Sequence, residues 1–144
     1  MHTFLFQEAD WEAEGEFVDQ YGTGKAARGY TMVRHDVDSW SVEGKINVEG
    51  LEPGIIRNNY TIRPWMSGEK ATSWQSVNPA LGLFFGMIAA VNDSLLSHFV
   101  SEDGEYSGVE SMRMVDAFTY ESRGALFKRN RRISSWSMIL ERSG

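Results

Sequence analysis

Residues 105–142 read EYSGVESMRMVDAFTYESRGALFKRNRRISSWSMILER and show the clearest alternation of apolar and polar residues in the chain. Near the end of this segment, Trp136, Met138 and Leu140 fall on one side, with mostly polar residues between them. A period of two is typical of a strand with one buried face. We therefore predict three consecutive antiparallel strands here, over Glu105–Ala117, Thr119–Arg129 and Ile133–Arg142.

The rest of the chain repeats this pattern of short apolar segments separated by turns. The strongest turn signal is Ser101-Glu102-Asp103-Gly104, because Asp-Gly suits a tight hairpin. Further strands are predicted over Lys25–Asp36, Trp40–Glu49, Ile55–Trp65, Ala71–Val77, Leu81–Val91 and Leu95–Val100. Residues 1–11 fit either a short strand or a segment that plugs one end of the sheet. A short helix near the N-terminus or around Asn78–Gly82 stays an alternative.

These segments add up to about nine or ten strands at roughly 10–12-residue spacing, which is typical of an antiparallel sandwich or barrel. The connections are short and sequential, and this favours an up-and-down barrel, an architecture without exposed sheet edges. We predict an all-β fold, with a single β-barrel domain over residues 1–144.

The composition argues against several classes of function. The 144 residues include 14 Lys and Arg against 20 Asp and Glu, a net charge of −6, whereas nucleic-acid binding needs clustered positive charge. The absence of Cys removes disulfides, thiolate metal sites and Cys nucleophiles. The longest apolar run, Leu81–Val91, is too short to span a bilayer, and the N-terminus does not read as a signal peptide. We expect a cytoplasmic protein without a membrane span.

The layout of sequential hairpin strands resembles the calycin group, which includes lipocalins and fatty-acid-binding proteins. Lipocalins carry Gly-x-Trp on the first strand, a motif absent here, and an Arg at the end of the last strand that packs on that Trp. Trp11 and Arg142 are the matching pair in this chain. Fatty-acid-binding proteins hold a lipid carboxylate with a late Arg-x-Tyr pair, whereas Arg28-Gly29-Tyr30 occurs early here. The resemblance implies a barrel around a small-molecule cavity and leaves the ligand class open.

The same alternation predicts which residues would face inward and line such a cavity. One face of Glu105–Ala117 contains Glu110 among Tyr and Met side chains, and Arg123 on the next strand is its predicted cross-strand partner. A buried carboxylate needs such a partner. The alternatives are that Glu110 lies on the wet face or forms a structural ion pair, and that the aromatic residues simply fill a core. The predicted ligand-binding residues are Trp40, Tyr60, Tyr106, Glu110, Met112, Tyr120, Arg123 and Trp136.

Three hypotheses about function follow. The first is a binding module for a small apolar molecule with a polar end, without a cofactor. The second is a barrel enzyme, an isomerase, cyclase or hydrolase of an apolar substrate, with His35 or Glu110 as acid–base. The third is a self-associating structural domain, since Leu81–Val91 is apolar on both sides and would suit a homodimer interface. His35 beside Asp36 and Asp38 is a fragment of a metal site, but the three histidines are not clustered in the sequence.

Overall fold

The computed structural model describes residues 1–144, which form a closed ten-stranded antiparallel β-barrel. The strands are β1 Ala9–Val18, β2 Gly24–His35, β3 Trp40–Val48, β4 Ile55–Ile62, β5 Ala71–Asn78, β6 Gly82–Val91, β7 Ser94–Ser101, β8 Tyr106–Asp116, β9 Thr119–Lys128 and β10 Arg131–Arg142. The predicted all-β fold class is confirmed, and neither of the short helices left open is formed. The chain has no helix with the length and apolar character needed to cross a bilayer.

Each strand pairs with the next one along the chain, and β10 returns to pair with β1. This closing ladder runs from Trp11 opposite Arg142 to Val18 opposite Ser135. The two residues matched to the lipocalin pair are therefore direct cross-strand neighbours. Closure leaves no unpaired outer strand, and the predicted up-and-down barrel is confirmed.

The structure settles which face of β2 points inward. Ala27 and Val33 are buried inside the barrel, whereas Arg28 and Arg34 are exposed on the outside. Arg28 lies 3.2 Å from Glu14 of β1. The Arg28-Gly29-Tyr30 segment therefore presents its Arg and Tyr side chains to solvent, and it does not supply a carboxylate-binding pair inside the barrel.

Three inward-facing glycines make room for large aromatic rings on neighbouring strands. The opposed pairs are Trp74 with Gly86, Phe99 with Gly108, and Trp136 with Gly124. A Cβ atom at any of these glycines would overlap the neighbouring ring. Glycine in a strand often marks such a close approach. The rings consequently lie along the wall of the barrel, and the space around its axis stays open.

The N-terminal segment, residues 1–8, closes one end of the barrel. Phe4 and Leu5 are buried, and the Phe4 ring lies 5.5 Å from the Trp11 ring. The backbone N–H groups of Thr3 and Phe4 donate to the Tyr120 hydroxyl oxygen at 3.2 and 3.4 Å. The plug interpretation of the N-terminus is thus correct for residues 1–8, and β1 begins at Ala9.

The β4–β5 ladder is the shortest in the barrel. It joins only Asn59–Ile62 to Trp74–Val77. The first half of β4, residues 55–58, lacks a ladder partner on the β5 side because β5 ends there. One side-chain hydrogen bond spans the gap, from Asn78 Nδ2 to Asn58 Oδ1 at 3.1 Å.

The outer face of β6–β8 is apolar. Phe85 is opposite Val100, and His98 lies between Met87 and Val109. The exposed apolar side chains are Phe85, Met87, Leu96, Val100 and Val109, with between 39% and 52% of their surface exposed. We call these five residues the outer apolar patch. Phe85 and Met87 of this patch, together with the buried Phe84 and Ile88, account for the apolar character of both faces of the Leu81–Val91 segment.

Candidate ligand-binding site

The barrel encloses a cavity of about 820 Å³ that extends from the plug to the opposite end. Phe4 and Leu5 form its floor, and the turns at the far end form its rim, with Tyr21 and Leu81 among them. Hydrophobic residues make up 26 of the 39 that line it. This volume lies in the range of about 300–1,000 Å³ that is usual for small-molecule sites. A depression of about 600 Å³ on the outside of β4–β7 is more open to solvent and lacks such an enclosed wall.

One carboxyl group lies on the inner wall, at the middle of β8. Glu110 is opposite Ser97 of β7 and Gly124 of β9. Trp136 Nε1–H donates to Glu110 Oε2 at 2.9 Å, and the Ser122 hydroxyl donates to the same oxygen at 3.1 Å. The other carboxyl oxygen, Oε1, accepts no hydrogen bond from the protein. Burial raises the pKa of Glu110 above its ordinary value, and the two hydrogen bonds oppose that rise.

A phenol on β4 also has free hydrogen-bonding capacity on this wall. The Tyr60 hydroxyl makes no hydrogen bond within the protein, and its ring packs edge-on against Trp74 at 5.0 Å. Burial raises the pKa of Tyr60, and the negative charge of Glu110 adds to the rise. The phenol is therefore protonated at neutral pH. The cavity thus presents a free carboxyl oxygen and a free hydroxyl to anything that enters it.

The comparisons with known proteins concern the fold. The S-type phycobiliprotein lyase from Guillardia theta superimposes with a TM-score of 0.72 at 7% identity, over 98% of this chain and 91% of that chain. The fold is that of a calycin-like β-barrel. A de novo designed fluorescence-activating β-barrel aligns over 99% of both chains at 14% identity, with a TM-score of 0.48. No family model and no curated protein matches the sequence.

The calycin-like barrel brings together four of the eight predicted site residues on the cavity wall. These are Tyr60, Glu110, Met112 and Trp136. Two others point inward but pack beside the plug instead: Trp40 stacks on His35 at 4.1 Å, and Tyr120 is fully buried against the N-terminal segment. Tyr106 lies inside the open end of the calycin-like barrel, 6.5 Å from the Phe84 ring.

The predicted pairing of Arg123 with Glu110 is not formed. Arg123 is opposite Ser111 of β8, and Glu110 is opposite Gly124. The Arg123 side chain is 70% exposed and lies 3.5 Å from Glu121 on the outside of the barrel. A difference of one residue in register turns a side chain to the other face of the sheet, and this explains the error. The partners of Glu110 are Trp136 and Ser122.

His35 lies by the plug and does not line the cavity. Its Nε2 atom is 2.6 Å from the Leu5 carbonyl oxygen, which ties the ring to the N-terminal segment. The hypothesis of His35 as an acid–base for a substrate in the cavity therefore lacks the required geometry. No three or more His, Asp or Glu side chains are grouped in a way that would hold a metal ion.

Several residues of this site were not predicted from the sequence. Ser122 shares the inward face of β9 with Tyr120 and Gly124, so its position was available from alternation alone. Phe4 and Leu5 were not recognised as the cavity floor because their segment lacks a strand pattern. Phe84 and Phe99 also line the cavity, but a strand that is apolar on both faces does not indicate which residues point inward.

Proposed function

We propose that this protein binds a small, largely apolar molecule with one polar end inside its barrel. The observation that carries this proposal is an open-ended apolar cavity of about 820 Å³ with the carboxyl group of Glu110 on its inner wall. Ligand sites commonly combine an apolar wall with a few polar groups that fix orientation. Here Glu110 and Tyr60 are those groups, while Trp74 and Phe84 contribute to the apolar wall.

A cavity-filling variant tests this proposal. Ser76 is buried on β5 and lines the cavity, so Ser76→Leu places a larger side chain in the ligand space. Gln75 is the adjacent, exposed residue on the outer face, and Gln75→Leu is the matched control. We expect the unmodified protein and Gln75→Leu to bind the apolar fluorophore N-phenyl-1-naphthylamine saturably, and Ser76→Leu to bind it at least about tenfold more weakly.

Folding of both variants is checked by circular dichroism and thermal melting. Equal fluorophore affinity in the two folded variants, or no saturable binding by the unmodified protein, would contradict the proposal. Native mass spectrometry of freshly purified protein is the companion experiment, because a retained ligand appears there as an added mass.

Acid–base catalysis on a bound apolar substrate is a second candidate. The observation that favours it is the free Oε1 atom of Glu110, on a carboxyl group whose pKa is raised by burial. Enzymes use carboxyl groups with a raised pKa as general acids or bases. A compound that binds in the cavity would then be converted by the unmodified protein, whereas Glu110→Gln would bind it without conversion. Unchanged conversion by that variant would remove the second candidate.

Self-association is supported by a different surface. The outer apolar patch consists of five apolar side chains that are each at least 39% exposed, on a chain with a net charge of −6. The cores of protein interfaces are depleted in charge, and an uncharged patch on an acidic protein suits a second copy of the same surface. We therefore propose a homodimer through β6–β8, for which sedimentation of Met87→Lys is the test.

A further inference from the structure

The cavity differs in charge from a site that would hold a fatty acid or another anionic amphiphile. Arg57, near the rim on β4, is the only cationic residue that lines it, and no Lys or His does so. Glu110 lies deeper, at the middle of β8, and its carboxylate would repel a ligand carboxylate that entered the barrel. The interior therefore disfavours a negatively charged polar end.

The hydrogen bonds around Glu110 indicate which kind of ligand group could bind its free carboxyl oxygen. Both protein donors, Trp136 Nε1–H and the Ser122 hydroxyl, go to Oε2. The Oε1 atom stays without a partner on a residue that faces the cavity. Burying an ionised carboxylate is costly unless its charge is compensated. A cation or a strong hydrogen-bond donor at Oε1 would supply that compensation.

The other groups on this part of the wall are a neutral hydroxyl and aromatic rings, and both suit a cationic ligand group. The Tyr60 phenol is neutral and makes no hydrogen bond, and an uncharged hydroxyl can accept from a donor as well as donate. The neighbouring wall is aromatic, with Trp74 and Trp136 both lining the cavity. Aromatic rings attract ammonium groups and repel anions over their faces. The net charge of −6 adds a long-range attraction for cations.

We propose that the natural ligand is a hydrophobic amine, whose ammonium group binds Glu110 Oε1 beside Tyr60 while its apolar part fills the barrel. This inference rests on the proposed function, because it assigns a chemical class to the molecule bound in the cavity. It also reverses the ligand polarity of fatty-acid-binding proteins, in which a cationic residue meets an anionic end.

The test compares three ligands with the same apolar chain, dodecylamine, dodecanol and dodecanoate, all below their micelle concentrations. Each is titrated as a competitor of N-phenyl-1-naphthylamine at pH 7.5. We expect dodecylamine to bind about tenfold or more tightly than dodecanol, the gain of one charge-assisted hydrogen bond. Dodecanoate is expected to bind more weakly than dodecanol.

Two variants locate the effect. Glu110→Gln removes the interior charge, and we expect it to lose most of the preference for dodecylamine over dodecanol. Glu121→Gln removes a carboxylate on the outer face, where Glu121 pairs with Arg113 at 2.7 Å, and we expect it to keep the full preference. This control separates a contact in the cavity from a general effect of net charge.

A further readout does not depend on any variant. An ammonium group at Oε1 favours the ionised carboxylate, so amine binding releases a proton at pH values near or below the pKa of Glu110 in the empty protein. Calorimetric titration in buffers of different ionisation enthalpy should show this release for dodecylamine and none for dodecanol. The affinity for dodecylamine should rise as the pH rises through the pKa of Glu110 in the empty protein.

The outcomes separate the two proposals. If dodecanol binds in a manner blocked by Ser76→Leu but dodecylamine has no advantage, the ligand class is wrong and the binding function stands. A preference for dodecylamine that survives Glu110→Gln also overturns the assignment to Oε1. If none of the three ligands binds, the binding function fails, and the ligand class fails with it.

Discussion

The position of Glu110 has a thermodynamic consequence for the empty protein. The carboxyl group is buried, and two neutral donors satisfy only one of its oxygens. Its pKa is raised in the folded state because the ionised form is poorly solvated there. The folded chain therefore holds this proton at a higher pH than the unfolded chain does.

Glu110→Gln should accordingly change the pH dependence of stability. For a carboxyl group with a raised folded pKa, the stabilising effect is fully present below the unfolded pKa and is lost as the pH rises through the folded pKa. We expect Glu110→Gln to have a higher melting temperature than the unmodified protein at pH 8. The difference between the two should shrink as the pH falls toward the ordinary carboxyl range.

Thermal melts monitored by circular dichroism from pH 4 to pH 8 measure this difference. Subtracting the two curves isolates Glu110, because Glu105 and Glu69, whose pKa values are lowered by Arg129 and Arg63, are common to both proteins. A melting temperature difference that is constant over this range would contradict a raised pKa at Glu110.

Tyr120 is the residue that fastens the plug. Its hydroxyl accepts from the backbone N–H groups of Thr3 and Phe4 and is 2.7 Å from His2 Nδ1. Tyr120→Phe leaves those donors without a partner, which costs about 1–3 kcal/mol for a buried group. We expect faster hydrogen exchange at the amides of Thr3 and Phe4, measured by mass spectrometry after peptic digestion.

Tyr106→Phe is the control for this experiment, because the Tyr106 hydroxyl makes no hydrogen bond in the barrel. The exchange of residues 1–8 should be unchanged in that variant. Equal exchange of the plug in both variants would show that its closure depends on apolar packing alone.

At the level of elements, the opposed glycines and aromatic rings explain how ten strands keep an open interior. The Trp136 ring lies over Gly124, and from that position its Nε1–H reaches Glu110 on β8. A glycine on β9 therefore positions a donor on β10 for a carboxyl group on β8. The polar part of the cavity depends on the packing between these three strands.

Gly124→Ala should disturb this arrangement. The new methyl group would overlap the Trp136 ring, and overpacking of this kind costs about 1–3 kcal/mol. We expect a loss of stability of that size in urea unfolding. Gly44→Ala is the matched control: it lines the same cavity, but its Cβ would meet no atom closer than 3.7 Å. Equal stability of the two variants would contradict the packing described for Trp136.

The elements also show how far sequence reasoning reaches. Alternation and turn residues identified β2 to β10 and the face of β8 that carries Glu110, because both signals are local. The partner of Glu110 was missed because it depends on register, in which Gly124 rather than Arg123 is opposite. Trp40 and Tyr120 were correctly predicted to face inward, but they lie at the plugged end of the barrel and not along the cavity. Alternation does not indicate how far along the barrel axis a plug extends.

For the molecule as a whole, the outer apolar patch is an apolar surface that no other part of the chain covers. Met87 belongs to this patch, lies opposite His98 and is 52% exposed. A charge inside an apolar interface is strongly unfavourable. We expect the unmodified protein to sediment as a concentration-dependent dimer and Met87→Lys to sediment as a monomer.

Val37→Lys is the control, because Val37 lies in the β2–β3 turn, away from the patch, and is 92% exposed. It should behave like the unmodified protein in sedimentation velocity. A monomer at all concentrations for the unmodified protein, or dimers of Met87→Lys, would rule out self-association through β6–β8.

The short β4–β5 ladder gives the barrel a weak seam on one side of its rim. Elsewhere, separating two strands would break a long row of backbone hydrogen bonds, but beside residues 55–58 the hydrogen bond across this seam is the one between Asn78 and Asn58. We expect local separation of strands to be most frequent there. A ligand wider than the rim would then enter between β4 and β5. Its rate of entry would be limited by how often the side-chain amides of Asn58 and Asn78 separate, and not by diffusion.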